Sequence, residues 1–374
     1  MAAIPQSQHT TAEAVLRWWG KQPNGHRAHL GASVLGHHCD RHIWYLFRNA
    51  RLPEFEGRLL RLFDRGKREE ATVFAELRGM GVELHTHEGD KQIECRDSTG
   101  HIGGSMDGIG KGFPEAPKTW AILEIKTHSA KSFKDVSTKG VKESKPAHYG
   151  QMQVYMGLME LDRALYFAVN KDNDEIYTEW VHFDAEAFDA LIERGRHIVA
   201  AKEPLPKASE DPAHWQCKGC QHNALCHQQN VAEANCRTCA HSTPVEEGAW
   251  RCDLHSKTLS WEEQQKGCDG HLFIPALIPY AEPVDGDENS VTYKYRDSEE
   301  TFKNGPGGYK SRELVGPSKS IVDDPAVKAM RTFFGAQIEK TESIKTVTVK
   351  KRNAKLEALA DVTFIDDDPS DIKI

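Results

Sequence analysis

No stretch of this chain approaches the ~20 consecutive apolar residues that a membrane-spanning helix needs, so no membrane contact is expected. The opening MAAIPQSQHTTAEAV lacks a basic segment followed by an apolar one. No secretory signal is therefore expected, and the expected location is cytoplasmic. An excess of positive charge is also missing. The chain has 48 Lys and Arg against 56 Asp and Glu, a formal net charge of −8. Any contact with nucleic acid must then come from local patches. There is no G-x-x-x-x-G-K-[ST] loop, which excludes a P-loop motor, and no internal repeat.

What is present is an ordinary globular composition with unusual cysteines. Of 374 residues, 39% are hydrophobic and 28% charged, enough for two or three domains with real cores. The nine cysteines are odd in number, which argues against a disulfide framework. Seven of them lie between Cys217 and Cys268, twice as C-x-x-C. In a chain without a signal sequence, that pattern reads as metal binding.

Hydrophobic periodicity predicts helices over 12–20, 40–50 and 58–78. Ser33 is the expected cap of the helix that follows it. The buried face of the third helix is expected at Leu59, Leu62, Phe63, Val73, Phe74 and Leu77, with Gly79 and Gly81 as the stop. Trp18 and Trp19 read as core. The period then changes to strands at 82–87, 91–96 and 101–110, with Asp97-Ser98-Thr99-Gly100 as a hairpin turn. A central strand is expected at 120–126 and a lysine-rich loop at 131–145. Helix 147–160, strands 164–170 and 175–183, and helix 185–201 complete a mixed α/β core. A Pro-rich linker over 203–216 leads to the cysteine-rich region, 217–272. Short strands are expected over 290–315, a helix over Pro325–Lys340, and a disordered acidic tail over 361–374.

One constellation carries chemistry. Gly104-Ser105-Met106-Asp107-Gly108 is followed by Glu124-Ile125-Lys126. Alternation along a strand puts Glu124 and Lys126 on one face and Ile125 on the other, in the core. Paired carboxylates suit Mg²⁺ or Mn²⁺, and the Ile125 carbonyl is a further candidate ligand. Lys126 would then orient or deprotonate water for attack on a phosphodiester. The bland alternative is a solvated strand edge with a salt bridge. Against it, Glu124 sits inside an apolar run, where an unpaired carboxylate is costly and a metal resolves the cost. Downstream, Gln151 and Tyr155 share a helix face at i,i+4. Upstream, Gly66-Lys67-Arg68-Glu69-Glu70 lies in the long helix.

In this order the four motifs resemble the PD-(D/E)XK nuclease superfamily, and more closely its RecB-like branch. The resemblance spans about 30–226 and implies a restriction-endonuclease-like core, a mixed central sheet flanked by helices. It implies that Asp107 and Glu124 bind the metal and that Lys126 is the catalytic lysine. Gln151 would orient that lysine or a phosphate, and Tyr155 would contact DNA or pack. Relatives often carry a metal-binding His in the first motif. This chain has none, so Glu70, with Glu69 as the alternative, takes that place.

Cys217, Cys220 and Cys226 follow the core as C-x2-C-x5-C, and Cys39 precedes it within S-x-L-x-x-x-C-x-R-x-x-W-Y. One cysteine before and three after resembles the iron–sulfur RecB-like nucleases, among them the CRISPR-associated exonucleases, the AddB nuclease domain and phage exonucleases. It implies a structural [4Fe–4S] cluster, with a four-cysteine zinc site as the rival. Cys236, Cys239, Cys252 and Cys268 form a second set. Its spacing resembles a zinc knuckle, with a second iron–sulfur cluster as the alternative and His241, His255 and His271 as substitute ligands. Cys95 reads as an ordinary buried thiol.

The expected organisation is an N-terminal helical region (1–57), the nuclease core (58–202), an iron–sulfur segment (203–230) and a second metal-stapled unit (231–275). A C-terminal extension (276–360) and the acidic tail (361–374) follow. The resemblance implies a metal-dependent exonuclease acting on DNA ends, single-stranded ends included, in phage or mobile-element replication or recombination. Lys131, Lys134, Lys139, Lys142 and Lys145 are candidate phosphate contacts. The tail suits either recruitment of a replication or recombination protein or plain solubilisation. The alternative, from another class, is a non-catalytic DNA-binding scaffold or recombination-complex subunit that keeps the fold.

Overall fold

A computed structural model describes residues 10–22, 27–52 and 55–315. The helix expected over Pro325–Lys340 and the acidic tail lie outside the described residues. In chain order, helix α1 (Thr10–Gly20) precedes strand β1 (Leu30–Gly31) and helices α2 (Ala32–Leu35), α3 (Asp40–Phe47) and α4 (Gly57–Gly79). Seven strands follow: β2 (Glu83–His85), β3 (His87–Glu88), β4 (Lys91–Gln92), β5 (Glu94–Arg96), β6 (Ile102–Ser105), β7 (Gly108–Lys111) and β8 (Ala121–His128). Helices α5 (Ala130–Lys139), α6 (Val141–Ser144) and α7 (Pro146–Met159) lead to β9 (Arg163–Asn170), β10 (Ile176–His182) and α8 (Ala185–Ala200). The cysteine-rich region holds α9 (Trp215–Lys218), α10 (Asn223–His227), β11 (Ser242–Pro244), β12 (Trp250–Cys252), β13 (Lys257–Leu259) and α11 (Trp261–Gln264). Strands β14 (Ala281–Gly286), β15 (Val291–Tyr295) and β16 (Thr301–Asn304) and helix α12 (Ser311–Leu314) close the described chain.

The result is a mixed α/β fold. The main sheet has the order β10-β9-β8-β7-β2. Only β8 and β9 are parallel in it, and that pairing requires a crossover. Helices α5 to α7 make the crossover. A smaller sheet runs β1-β6-β5. The expected turn joins β5 to β6: Asp97 Oδ1 accepts from the Ile102 N–H, and Gly100 takes φ 74°. The core under the main sheet gathers Val73 and Leu77 from α4 with Leu123 and Ile125 from β8 and Leu165, Phe167 and Val169 from β9.

Several expectations need correction. The lysine-rich stretch over 131–145 is helical, as α5 and α6. Ser129 caps α5, and Phe133, Val136 and Val141 recur at helical spacing to bury against the sheet. Ser33 is not a cap but lies within α2; its hydroxyl accepts from Arg27 at 3.1 Å. The apolar stripe of α4 is buried only in its second half, and Phe63 is 46% exposed, edge-on to Phe55. Helix α1 buries no residue, so Trp18 is exposed rather than core.

The cysteine-rich region is fastened to the core by two buried arginines that, among the described residues, pair with no carboxylate. Arg237, 1% exposed, donates to the carbonyls of Phe47 (2.9 Å) and Ala28 (2.6 Å) and to Gln264 Oε1. Arg48 donates to the carbonyls of Arg237, Ser242 and Ala201. Both guanidinium groups stand within 5.0 Å of the Trp250 ring centroid. Removing Arg237 leaves two buried acceptors, the Phe47 carbonyl and Gln264 Oε1, unpartnered, each costing about 1–3 kcal/mol, and takes the guanidinium packing from Trp250 as well. Arg237→Ala should therefore destabilise the protein by about 3 kcal/mol or more in denaturant titration. A change under about 1 kcal/mol would refute this role.

Candidate active site

The alternation of β8 sets the site. Leu123 and Ile125 face the apolar cluster under α4, so Glu124 and Lys126 stand on the opposite face. Glu124 is fully buried (0% exposed). Its Oε1 takes the Lys126 ammonium, while its Oε2 has no hydrogen-bond partner. Lys126 Nζ also reaches the Ile125 carbonyl at 3.3 Å.

Asp107 lies in the kink between β6 and β7. Strand β7 begins pairing with β8 at Gly108, opposite Leu123, so it offers no acceptor to the Ile125 N–H. Asp107 Oδ2 supplies one at 2.7 Å, which pins its carboxylate beside Glu124. The preceding strand is held from the other side. Tyr155 donates its hydroxyl to the Ser105 carbonyl (2.8 Å) and accepts from Gln151 Nε2 (3.2 Å). A Cβ at position 104 would come within 2.6 Å of the Tyr155 hydroxyl, so Gly104 is what lets α7 approach. Tyr155 thus packs and positions.

Glu70, Asp107, Ile125, Lys126, Gln151 and Tyr155 line one open groove of about 1080 Å³. Of the two glutamates in the first motif, Glu70 lines it and Glu69 does not. Burial, with Asp107 adding, pushes the Glu70 carboxyl up to about 7 against the pull of Lys126 and Lys67. Burial likewise raises Glu124, with Lys126 opposing and Asp107 and Glu70 adding. Burial alone would lower Lys126, but Glu124, Asp107 and Glu70 outweigh it and hold the amine above its ordinary value. Glu124 does not itself line the groove, and the three carboxylates do not bring oxygens within 4.8 Å of one another, but their mutual influence beside one orphaned, buried oxygen suits a hard divalent cation.

Lys131, Lys134, Lys142 and Lys145 do not line the groove. Lys145 turns to Asp135 (3.2 Å) and Lys142 to Asp184 (3.3 Å), while Lys131 and Lys134 are exposed on α5. The basic side chains that do line it, besides Lys126, are Arg27 and Lys67. His148 lines it as well, with Nδ1 2.8 Å from the Tyr166 hydroxyl. Sequence reasoning passed over all three. His148 precedes Gln151 by three residues and so shares its helix face, a signal that was available. Arg27 had none, because it reaches the groove from a loop.

In the first cysteine set, Cys39 caps α3, Cys217 lies in α9 and Cys226 in α10. Burial raises the Cys220 thiol, and Cys39 and Cys217 lie close enough to add to it. Burial pushes Cys226 up to about 11, with Cys220 and Cys39 adding. Thiols gathered from both ends of the core fit a metal centre that stabilises them as thiolates. His42, Cys220 and His222 also place their ligand atoms within 4.8 Å of one another, and the buried Nε2 of His222 has no partner. Cys95 is buried, as expected, with its thiol on the Gly104 carbonyl. Among the described residues, no helix is long and apolar enough to cross a membrane.

No family model and no curated protein matches the chain. Among solved structures, it is similar to SSO0001 at 16% identity and a TM-score of 0.35, over 58% of this chain and 96% of that one. It is similar to an alkaline exonuclease from Laribacter hongkongensis at 14% identity and a TM-score of 0.33, over 49% and 91%. A phage related exonuclease from Haemophilus somnus 129PT matches at 19% identity and a TM-score of 0.27, over 35% and 65%. Similarity at this level does not assign an activity.

The raised carboxylate gives a pH test. Between the ordinary value of 4.5 and about 7, folded Glu70 keeps a proton that the unfolded chain has released. Its contribution therefore makes stability fall as pH rises across that window. Buried histidines such as His148, lowered by burial, act in the opposite direction, so a difference is measured. In EDTA, the stability of wild type relative to Glu70→Gln should decline from pH 4.5 to 7 and then level off. A flat difference would contradict the assignment.

Proposed function

We propose that the chain is a divalent-metal-dependent deoxyribonuclease of the PD-(D/E)XK type that hydrolyses phosphodiester bonds at DNA ends. One observation carries this reading: a fully buried strand glutamate, Glu124, leaves Oε2 without a partner and lies close enough to Lys126, Asp107 and Glu70 to feel the charge of each. A structural ion pair would have used both oxygens or left the carboxylate in water.

Glu70, Asp107 and Glu124 would hold Mg²⁺ or Mn²⁺, with the Ile125 carbonyl beside them. When bound, such a cation polarises a phosphoryl oxygen and acidifies water. Lys126, fixed by Glu124, holds the attacking water and offers its charge to the phosphate as negative charge develops there. Gln151 lines the groove and donates to the Tyr155 hydroxyl, which keeps Tyr155 in place. Arg27 and Lys67 bind flanking phosphates along the groove, and the exposed Lys131 and Lys134 extend that basic surface outward.

Cys39, Cys217, Cys220 and Cys226 would hold a [4Fe–4S] cluster, which supplies a structural staple. Closing a loop of about 180 residues removes entropy from the unfolded chain. Replication or recombination of a phage or mobile element is the setting this reading suits, with DNA ends as the substrate.

The test is digestion of end-labelled single- and double-stranded DNA with Mg²⁺ or Mn²⁺. Asp107→Ala, Glu124→Gln and Lys126→Ala should each reduce cleavage by about 10²-fold or more while leaving the chain folded. Undiminished wild-type cleavage in excess EDTA would overturn the mechanism.

A further inference from the structure

The second cysteine set stands apart from the nuclease groove and is built with care. Cys236 and Cys239 bracket a tight turn. The Asn235 side chain accepts from the N–H groups of Arg237 and Thr238, and Thr238 Oγ1 accepts from the Asn235 N–H. Cys252 ends β12, paired with Ser242 of β11, and Cys268 follows α11. All four cysteines are free thiols, and all four line one cavity of about 240 Å³. Cys239 Sγ accepts the Leu272 N–H at 3.4 Å, a bond that favours a thiolate. Cys268 Sγ lies 3.5 Å from His255 Nε2, at the same cavity.

Four thiols that line one cavity have no structural purpose as thiols, because they neither pair as disulfides nor fill the space. A zinc ion with Zn–S bonds of ~2.3 Å draws four sulfurs to within ~3.8 Å of one another. Here no three of them lie within 4.8 Å; among the described residues only His42, Cys220 and His222 do so. The spacing along the chain favours zinc, but sulfurs of which no three lie within 4.8 Å, around a shared cavity, favour a larger group.

We propose that Cys236, Cys239, Cys252 and Cys268 hold a polynuclear iron–sulfur cluster of the [4Fe–4S] type, separate from the first cysteine set. Each thiolate ligates one iron, and the Leu272 N–H tunes the cluster through Cys239. The cluster locks the turn that carries Arg237, the buried arginine that fastens this region to the core. It involves no residue of the proposed nuclease site.

The experiment uses the full chain, purified without oxygen, with iron, acid-labile sulfide and zinc measured per chain. Cys239→Ser and Cys268→Ser are compared with wild type and with Cys217→Ser. Both second-set variants should lose about four iron and four sulfide, and Cys217→Ser should keep that portion. Cys268 is the most exposed of the four, so its variant remains informative if Cys239→Ser fails to fold. About one zinc per chain that these variants release, with iron unchanged, would overturn the proposal. So would metal content identical to wild type. Cleavage is not the readout, so a failure here leaves the nuclease reading standing, and an inactive nuclease leaves this one standing.

Discussion

A carboxylate with no access to water and only one of its oxygens satisfied is the constraint around which this fold is arranged. Burying a charge is costly unless it is paired and hydrogen-bonded. Glu124 sits in the main sheet, paired with Tyr166 of β9 and one residue beyond the end of the β7 pairing. Lys126 compensates one oxygen and Asp107 is pinned beside it, yet the two acids and Glu70 outnumber the one ammonium. Carboxyls so arranged disfavour one another's ionised forms. Burial first, and the neighbouring acids after it, raise the Glu70 and Glu124 carboxyls, while Tyr155, which Gly104 lets approach, holds the strand before the kink at Asp107.

The rest of the chain keeps that arrangement rigid by a different means. The cysteine-rich region contributes no residue to the groove. It packs two guanidinium groups around Trp250 and satisfies them with backbone carbonyls rather than carboxylates. Planar, multidentate donors suit that task where lysine would not. The carbonyl of Phe47, at the end of α3, is one of these acceptors, and Cys39 starts the same helix. Helix α3 therefore receives both the first cysteine set and the arginine staple of the second.

The sequence exposed the chemistry more fully than the surface that serves it. Glu124 and Lys126 could be placed on one face because strand alternation has a period of two, and Gln151 with Tyr155 because a helix repeats at four. The 131–145 stretch reads as a loop because its lysines dominate the composition. Phe133, Val136 and Val141 decide its structure, and they are sparse. Five of its lysines are expected near the phosphates, but the groove is lined by Arg27, which sequence distance hides, and by Lys67, three residues before Glu70. Phe63 matches the apolar stripe of α4, yet it lines the groove and is 46% exposed, and periodicity cannot report where a neighbour is missing.

The central claim is that Glu124 Oε2 is a cation ligand. Anomalous diffraction from crystals of the full chain grown with Mn²⁺ near pH 8 tests it most directly. A Mn²⁺ peak within about 2.5 Å of Glu124 Oε2 and in contact with the Asp107 carboxylate is the predicted result. A groove without Mn²⁺ at millimolar concentration, with Glu124 Oε2 hydrogen-bonded instead to a protein group, would contradict it.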